Sequence, residues 1–372
     1  MTVQINLFWF PYIIAIIIAF IGFVIPSLLK ENIVFGSRFP NEIINHSEVI
    51  LLKKDFKKIF LTIFIPFLIV LGWFLFNFPV DKYFEYGVIT EIILYLFIYI
   101  AYNRKAKELK KELLNQENIQ PQKGVLVVDT TPRQEKFLIS IWWFLPSLLI
   151  IISNIFIILL FYNKIPNKIA VHFNLQGTAT QLLDKTYLHV MLLPLSSLFT
   201  LCIFVAIYFF IKLSKQELNP NKPKTSRLQN MHFRLLWSDY TVLVCTYLIV
   251  WMLFVSLYSS KLLITSTNIF EIFNISMLLL FLLSSVILTI KTGQSGTKLK
   301  VMLNEPTTGM NNVDDDSYWK LGMFYYNPHD PSIFVEKRYG IGWTINFGRP
   351  AGIAIIILII AASILLGSIS KK

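Results

Sequence analysis

Eight long apolar runs alternate with polar connections along the 372 residues. They occupy 8–29, 59–78, 87–102, 137–161, 187–211, 240–258, 269–290 and 350–369. A helix needs about 20 residues, rising 1.5 Å each, to cross roughly 30 Å of hydrocarbon. Each run is therefore long enough to span, or nearly so. The third is the weakest, because its charge-free part runs only from Ile92 to Tyr102; Glu91 is expected near one interface. No basic residue precedes the first run, which reads as an uncleaved span rather than a signal segment. The pattern predicts an all-α integral membrane protein with about eight transmembrane helices.

The connections carry helical signals of their own. Asn45 with Glu48 resembles a capping box, and SEVILLKKDFKKIF runs from it into the second span. After the third span, RKAKELKKELLNQEN continues as a basic helix with Leu109 and Leu113 on one face. Asn219-Pro220 and Lys222-Pro223 break the chain, and Leu228, Met231 and Leu235 mark another helix before the sixth span. All three are expected to lie on the membrane surface as amphipathic segments. Within the spans, Pro66, Pro146 and Pro194 are candidate kinks. Asn154 and Asn274 are the main deep polar groups, expected to join helices by hydrogen bonds. Glu91, Asp239 and Glu271 sit near span ends, so the span centres hold no ionisable group of the kind a pump or transporter uses.

Composition and charge sharpen this picture. The chain is 55% hydrophobic, 15% aromatic and only 15% charged, with a mean hydropathy of +0.60. An average soluble chain is about 25% charged, so both a soluble enzyme and a disordered chain are excluded. The net charge of +12 is unevenly spread. Of 34 Lys and Arg, 27 fall in connections 1, 3, 5 and 7. By the positive-inside rule these loops face the cytoplasm and both termini lie outside. The basic residues then read as topology signals that meet anionic lipid headgroups, with no nucleic-acid partner. Cys202 and Cys245 lie inside apolar runs and are not expected to form a structural disulfide. Four regions follow: three spans with basic loops (1–136), spans 4 and 5 with their outer loop 162–186 (137–212), spans 6 and 7 (213–290), and an aromatic-rich cytoplasmic segment with the last span (291–372).

Catalytic chemistry is hard to find. None of the five histidines belongs to an HExxH pair, and Asp314-Asp315-Asp316 lacks the spaced ligands of a calcium loop. That run reads as a solvated turn or helix cap. No cofactor, metal site or catalytic residue is expected. The loop YNKIPNKIAVHFNLQGTATQLLDKT is more informative. Pro166 ends the fourth span and biases Ile165 to an extended conformation. Ile169, Val171 and Phe173 alternate with Ala170, His172 and Asn174, a strand period. Asn174 and Gly177 supply a turn, with Gly177 suited to positive φ. His172 and Asn174 are placed on one face, either binding a partner or hydrogen-bonding the loop to itself.

The pattern I-P-x-x-I-x-V-H-F-N-x-x-G, followed by Lys185, resembles a loop of a bacterial membrane family that includes the SdpI-like immunity and signalling proteins. The likeness covers Ile165 to Lys185 with span 5 and, at its widest, span 4, about one sixth of the chain. Thr178-Ala179-Thr180 and Leu182-Leu183 depart from the family's acidic and aromatic positions after the glycine. The resemblance implies protection against a secreted peptide, with Pro166, His172, Phe173, Asn174 and Gly177 as candidate ligand or partner residues.

Residues 314–350 carry nine aromatics, turns at Asn327-Pro328 and Asp330-Pro331, and a bend at Gly340 and Gly342. The rings are expected to pack on the membrane face or on the basic helices, with Arg349 reaching toward phosphates. The signature D-D-D-x-Y-W-K…Y-Y-N-P-x-D-P…F-V-x-K-R…G-W-T-x-N-F-x-R-P resembles a second, uncharacterised domain of Gram-positive membrane proteins, and F-G-S-R-F-P in connection 1 looks like a recurring segment of the same proteins. The candidate residues there are Asp316, Tyr318, Trp319, Lys320, Tyr326, Asn327, Pro328, Asp330, Pro331, Lys337, Arg338, Trp343, Asn346 and Arg349. The expectation is a non-enzymatic protein of a bacterial plasma membrane, in peptide-toxin immunity or envelope sensing, whose partner is a secreted peptide or another membrane protein. The alternative is a transporter or channel for an unknown solute.

Overall fold

The computed structural model describes residues 9–78, 80–118, 138–174 and 177–369. The distal part of connection 3, the first residues of spans 1 and 4 and the last three residues lie outside them. Eight α-helices follow the eight apolar runs: α1 Trp9–Leu28, α2 Ser47–Asn77, α3 Val80–Gln116, α4 Leu145–Leu160, α5 Tyr187–Leu213, α6 Pro223–Ser259, α7 Thr267–Thr292 and α8 Pro350–Ile369. The first seven are long and apolar enough to cross a membrane. Large hydrophobic side chains such as Ile69, Trp73, Phe76, Ile357 and Leu358 stand exposed along them. Such a surface suits lipid, not water. The protein is a multi-pass membrane protein of helical class.

Three helices are longer than their spans. The charged segments before span 2, after span 3 and before span 6 are continuous extensions of α2, α3 and α6, not separate helices lying on the membrane. No proline or glycine interrupts the chain at these junctions. The extension of α3 hides its apolar face in protein: Ala106 and Leu113 are buried in one cluster with Val49 and Phe56 of α2. Pro223 opens α6 at a position where its missing N–H costs nothing. Two details differ at helix starts. The N-cap of α2 is His46, whose ring accepts from the Glu48 amide, and not Asn45. Pro146 lies in the first turn of α4, so it starts that helix without kinking it.

Among the described residues, four two-stranded antiparallel ribbons lie between the helices: β1 Ile33–Val34 with β2 Ser37–Arg38, β3 Lys168–Phe173 with β4 Ala179–Asp184, β5 Trp319–Lys320 with β6 Phe324–Tyr325, and β7 Phe334–Glu336 with β8 Trp343–Ile345. The chain forms two compact units. The first gathers Met1–Arg133, Ser214–Phe233 and Ser285–Gly352; the second gathers Gln134–Leu213, Arg234–Ser284 and Ile353–Lys372.

The first unit holds an aromatic-rich core on α1, α2 and α3, with Phe35, Phe56, Phe60 and Tyr99 fully buried or nearly so. Glu91 is buried there too, at 0% exposure. It lies about three turns into α3, because that helix begins at Val80, well before the charge-free run. Neither of its carboxyl oxygens has a hydrogen-bond partner among the described residues. Glu91 is therefore an interior group of this helical bundle, shielded from solvent by protein.

The second unit packs α4, α5 and α6 around Ile151, Leu201, Val242, Cys245 and Ile249. Small polar residues join the helices: Ser147 bonds Thr246 at 2.8 Å, and the Ser256 hydroxyl donates to Asn154 at 3.1 Å. On α7, Asn274 accepts from the Trp251 indole of α6 at 2.5 Å. Both deep asparagines thus join helices. Both cysteines are free thiols.

Candidate functional site

The β3–β4 hairpin of the second unit is built by its sequence. A short 3₁₀ turn, Tyr162–Lys164, follows α4, and Ile165 is extended before the exposed Pro166. Lys185 fixes the exit: its ammonium donates to the Ile165 carbonyl at 2.9 Å and lies over the Tyr162 ring. Strand alternation is broken by a bulge, since the register shifts between Ala170 and Phe173. Ala170 is buried beside Ile169 as a result. At the tip, the Asn174 side chain accepts from the Thr178 amide at 2.9 Å, and Gly177 takes φ +71°. A Cβ on Gly177 would sit 3.0 Å from Phe270. The Phe173 ring packs against Phe270 and Tyr258 with centroids 5.0 and 5.5 Å apart, and the Ser259 hydroxyl donates to the Ala170 carbonyl. Phe173 and Gly177 therefore seat the hairpin on α6 and α7, while Asn174 closes its tip.

His172 is different. It is exposed and has no hydrogen-bond partner among the described residues. It lines a cavity of about 230 Å³ with His189, Ser196, Ser256, Ser259 and Ser260. Asn174 and Asp184 are not among the described residues that line it. His189 and the serines carried no sequence motif. They meet here because α5 starts, and α4 and α6 end, beneath the hairpin.

The first unit collects the second set of candidates, and ion pairs hold it together. All three acids of the Asp314–Asp316 run are engaged. Asp314 and Asp316 bind Lys110 of α3 at 2.6 and 2.9 Å. Asp316 also accepts from the Arg38 amide at 2.9 Å. Asp315 meets the guanidinium groups of Arg38 and Arg338 and accepts from the Trp319 indole at 3.1 Å. The run is thus a hub for cations from distant segments and not a solvated turn. Arg38 reaches Glu217 at 2.5 Å. Burial alone would lower the Arg38 pKa, but Glu217 and Asp315 raise it above its usual value. Burial alone would raise Glu217; Arg38 and Lys30 hold it well below the carboxylate range. Glu336 joins Lys30, Asn230 and Ser295 at 2.9, 2.5 and 2.7 Å.

Asn346 organises the turn before α8. Its side chain accepts from the Asn327 and Gly348 amides, both at 3.0 Å, and donates to the Asn327 carbonyl at 2.8 Å. Asp330 accepts from Lys215 and the Tyr325 hydroxyl, both at 2.9 Å. Arg349 donates to the Asp330 carbonyl at 2.8 Å and so braces this turn instead of reaching out to phosphates. Trp319, Tyr325 and Val335 form a small core, with the Arg338 guanidinium over the indole. Tyr339 packs on Tyr99 of α3 and bonds Tyr95 at 2.9 Å. The half-buried Trp343 meets Phe233 of α6. Tyr318, Lys320, Tyr326, Pro328, Pro331 and Lys337 are exposed. A cavity of about 330 Å³ remains between the Asp315 and Asp330 clusters. Each carboxylate that lines it has a cationic partner: Arg38 for Glu217 and Asp315, Lys215 for Asp330 and Lys30 for Glu336.

Two family models match the chain. One, a domain of unknown function (DUF1648), covers residues 148–198: α4, the hairpin and the start of α5. The other, a family of unknown function (DUF5808), covers residues 328–353, from the Asn346-braced turn into α8. No curated protein and no solved structure matches. The two matched stretches fit a multi-pass membrane protein that carries conserved domains of uncharacterised role.

Proposed function

We propose that this is a non-enzymatic protein of a bacterial plasma membrane, serving peptide-toxin immunity or envelope sensing in the manner of the SdpI-like proteins. In this reading the four basic connections face the cytoplasm, the β3–β4 hairpin faces outward, and both termini lie outside. The observation that carries it is the hairpin cavity. His172 and His189 open onto it, while the neighbouring motif residues are spent on docking the hairpin. A bound partner that prefers one seating of the hairpin on α6 would shift the populations of the second unit. The test is a strain lacking the gene, complemented with wild type or His172→Ala, and challenged with secreted peptides. Lost resistance that only the wild type restores supports the reading; unchanged sensitivity across a broad panel contradicts it.

One observation favours a transporter or channel instead: the buried, unpartnered carboxyl of Glu91. An ionisable group inside a membrane bundle is a common mark of an ion or proton path. Flux in proteoliposomes that disappears in Glu91→Gln would establish that reading.

A further inference from the structure

The hairpin cavity is lined mainly by hydrogen-bond acceptors; His172, whose neutral ring carries one N–H, is the exception. Every serine hydroxyl on its wall already spends its proton. Ser196 donates to the Leu192 carbonyl at 2.7 Å, Ser256 to Asn154 at 3.1 Å, Ser259 to the Ala170 carbonyl, and Ser260 to the Ser256 carbonyl at 2.8 Å. A hydroxyl whose proton is committed offers only lone pairs to a newcomer. The histidine on α5 points the same way. His189 Nδ1 lies 2.7 Å from the Asp184 carbonyl oxygen, which can only accept, so the ring proton sits on Nδ1 and the neutral ring keeps a lone pair at Nε2.

The electrostatic setting adds to this. Among the described residues that line it there is no Lys or Arg. The last turns of α6 and α8 supply Ser256, Ser259 and Gly367, and α4 ends just beyond Ile158, so three helix C-termini with their partial negative charge meet one helix N-terminus, that of α5. The rest of the wall is apolar, with Ile158, Ile169, Val190, Leu192 and Leu193. A volume of about 230 Å³ takes an unbranched alkyl chain with one small head.

We infer that this cavity binds a primary alkylammonium group, the chemistry of a lysine side chain. The ammonium gives its N–H donors to the free lone pairs of the serine hydroxyls and of His189 Nε2, and its methylenes lie along the aliphatic wall. The proposal deepens the peptide-binding reading and rests on it only for the origin of the lysine; the chemistry of the cavity stands apart from it.

The experiment uses the full-length protein in nanodiscs and reads binding by saturation-transfer NMR. The probes are Nα-acetyl-lysine amide, its Nζ-trimethyl counterpart and the norleucine counterpart. The lysine probe is expected to bind, and the trimethyl probe, which keeps charge but has no N–H, to bind at least about tenfold more weakly. The norleucine probe is expected not to bind. Ser260→Ala and His189→Leu should each weaken the lysine probe about tenfold, with the thermal transition of each variant confirming its fold. Equal binding of the lysine and trimethyl probes, or no binding of the lysine probe to the folded wild type, overturns the assignment. Lysine-probe binding in a protein whose gene proves irrelevant to peptide challenge would leave the cavity chemistry standing and remove the immunity reading alone.

Discussion

Gly36 and Gly322 meet back to back. A Cβ on Gly36 would stand 2.7 Å from the Gly322 carbonyl oxygen, and a Cβ on Gly322 would stand 3.0 Å from Gly36 Cα. Each is the second residue of a tight turn with two positive φ angles: Phe35 and Gly36 between β1 and β2, Leu321 and Gly322 between β5 and β6. Such turns match the twist of a two-residue hairpin. One face of α3 holds both. Asn103 donates to the Phe35 carbonyl at 2.6 Å, and Tyr99, one turn earlier, donates to the Leu321 carbonyl at 3.0 Å. Gly36→Ala and Gly322→Ala should each destabilise the protein by about 1–3 kcal/mol, through both backbone strain and the lost approach. The double variant should cost less than the sum, because one contact serves both. Thermal unfolding of the four proteins in detergent checks this; strict additivity would show that the two turns do not depend on each other.

Acid should unfold the first unit through its ion pairs. Burial alone would raise Glu217, Asp314 and Asp330, but Arg38, Lys110 and Lys215 respectively lead the interactions that pull them below the ordinary range. A depressed carboxylate pKa means the unfolded chain binds more protons. Stability is then full above about pH 5 and falls as the pH drops toward the lower native values. Unfolding temperature measured from pH 7 to pH 3 should stay level and then drop. In Arg38→Met the level part should itself be lower by about 3–5 kcal/mol, because Glu217 and Asp315 lose a buried partner. A flat profile to pH 3 would contradict the role given to these pairs.

Asn346 is fully buried and completes five hydrogen bonds to backbone groups. Asn346→Asp keeps the shape but turns a carboxylate oxygen toward the carbonyls of Asn327, Asp330 and Ser332. It should cost more than about 3 kcal/mol and loosen the turn before α8. Limited proteolysis near residue 330 reports this: cleavage should accelerate in the variant, and an unchanged rate would mean the turn is held by other contacts.

Glu91 makes an opposite prediction. A buried polar group without partners costs free energy that an apolar residue of similar size does not. Glu91→Leu should raise the unfolding temperature, and Glu91→Gln, which is still polar, should raise it less. A lowered temperature in Glu91→Leu would mean that the carboxyl has a bound partner, and would strengthen the transport reading.

Much of this architecture was legible in the sequence, and the rest was not for identifiable reasons. Apolar period and length marked the eight helices, and the Pro166 to Gly177 stretch announced an extended piece and a turn. Asn154 and Asn274 stood out because polar groups are rare in such runs. Local signals could not say that Asp314 and Asp316 pair with Lys110, some 204 and 206 residues away. Nor could they show that the basic helices hide their leucines in protein, since an amphipathic face fits a membrane surface equally well. Phe-Gly and Leu-Gly lack the Asn-Gly signature of a two-residue turn. The apolar run after Glu91 suggested a late start for α3, whereas the helix begins 11 residues before it.

The central claim is the threading, with the hairpin on one side of the membrane and the ion-paired segment on the other. Single cysteines at the exposed positions His172 and Tyr326, in a background where Cys202 and Cys245 are replaced by serine, can be tested in intact cells with a membrane-impermeant maleimide. The account predicts that the cysteine at 172 labels from outside and the one at 326 only after the cells are opened. Labelling of 326 in intact cells, or protection of 172, would contradict it.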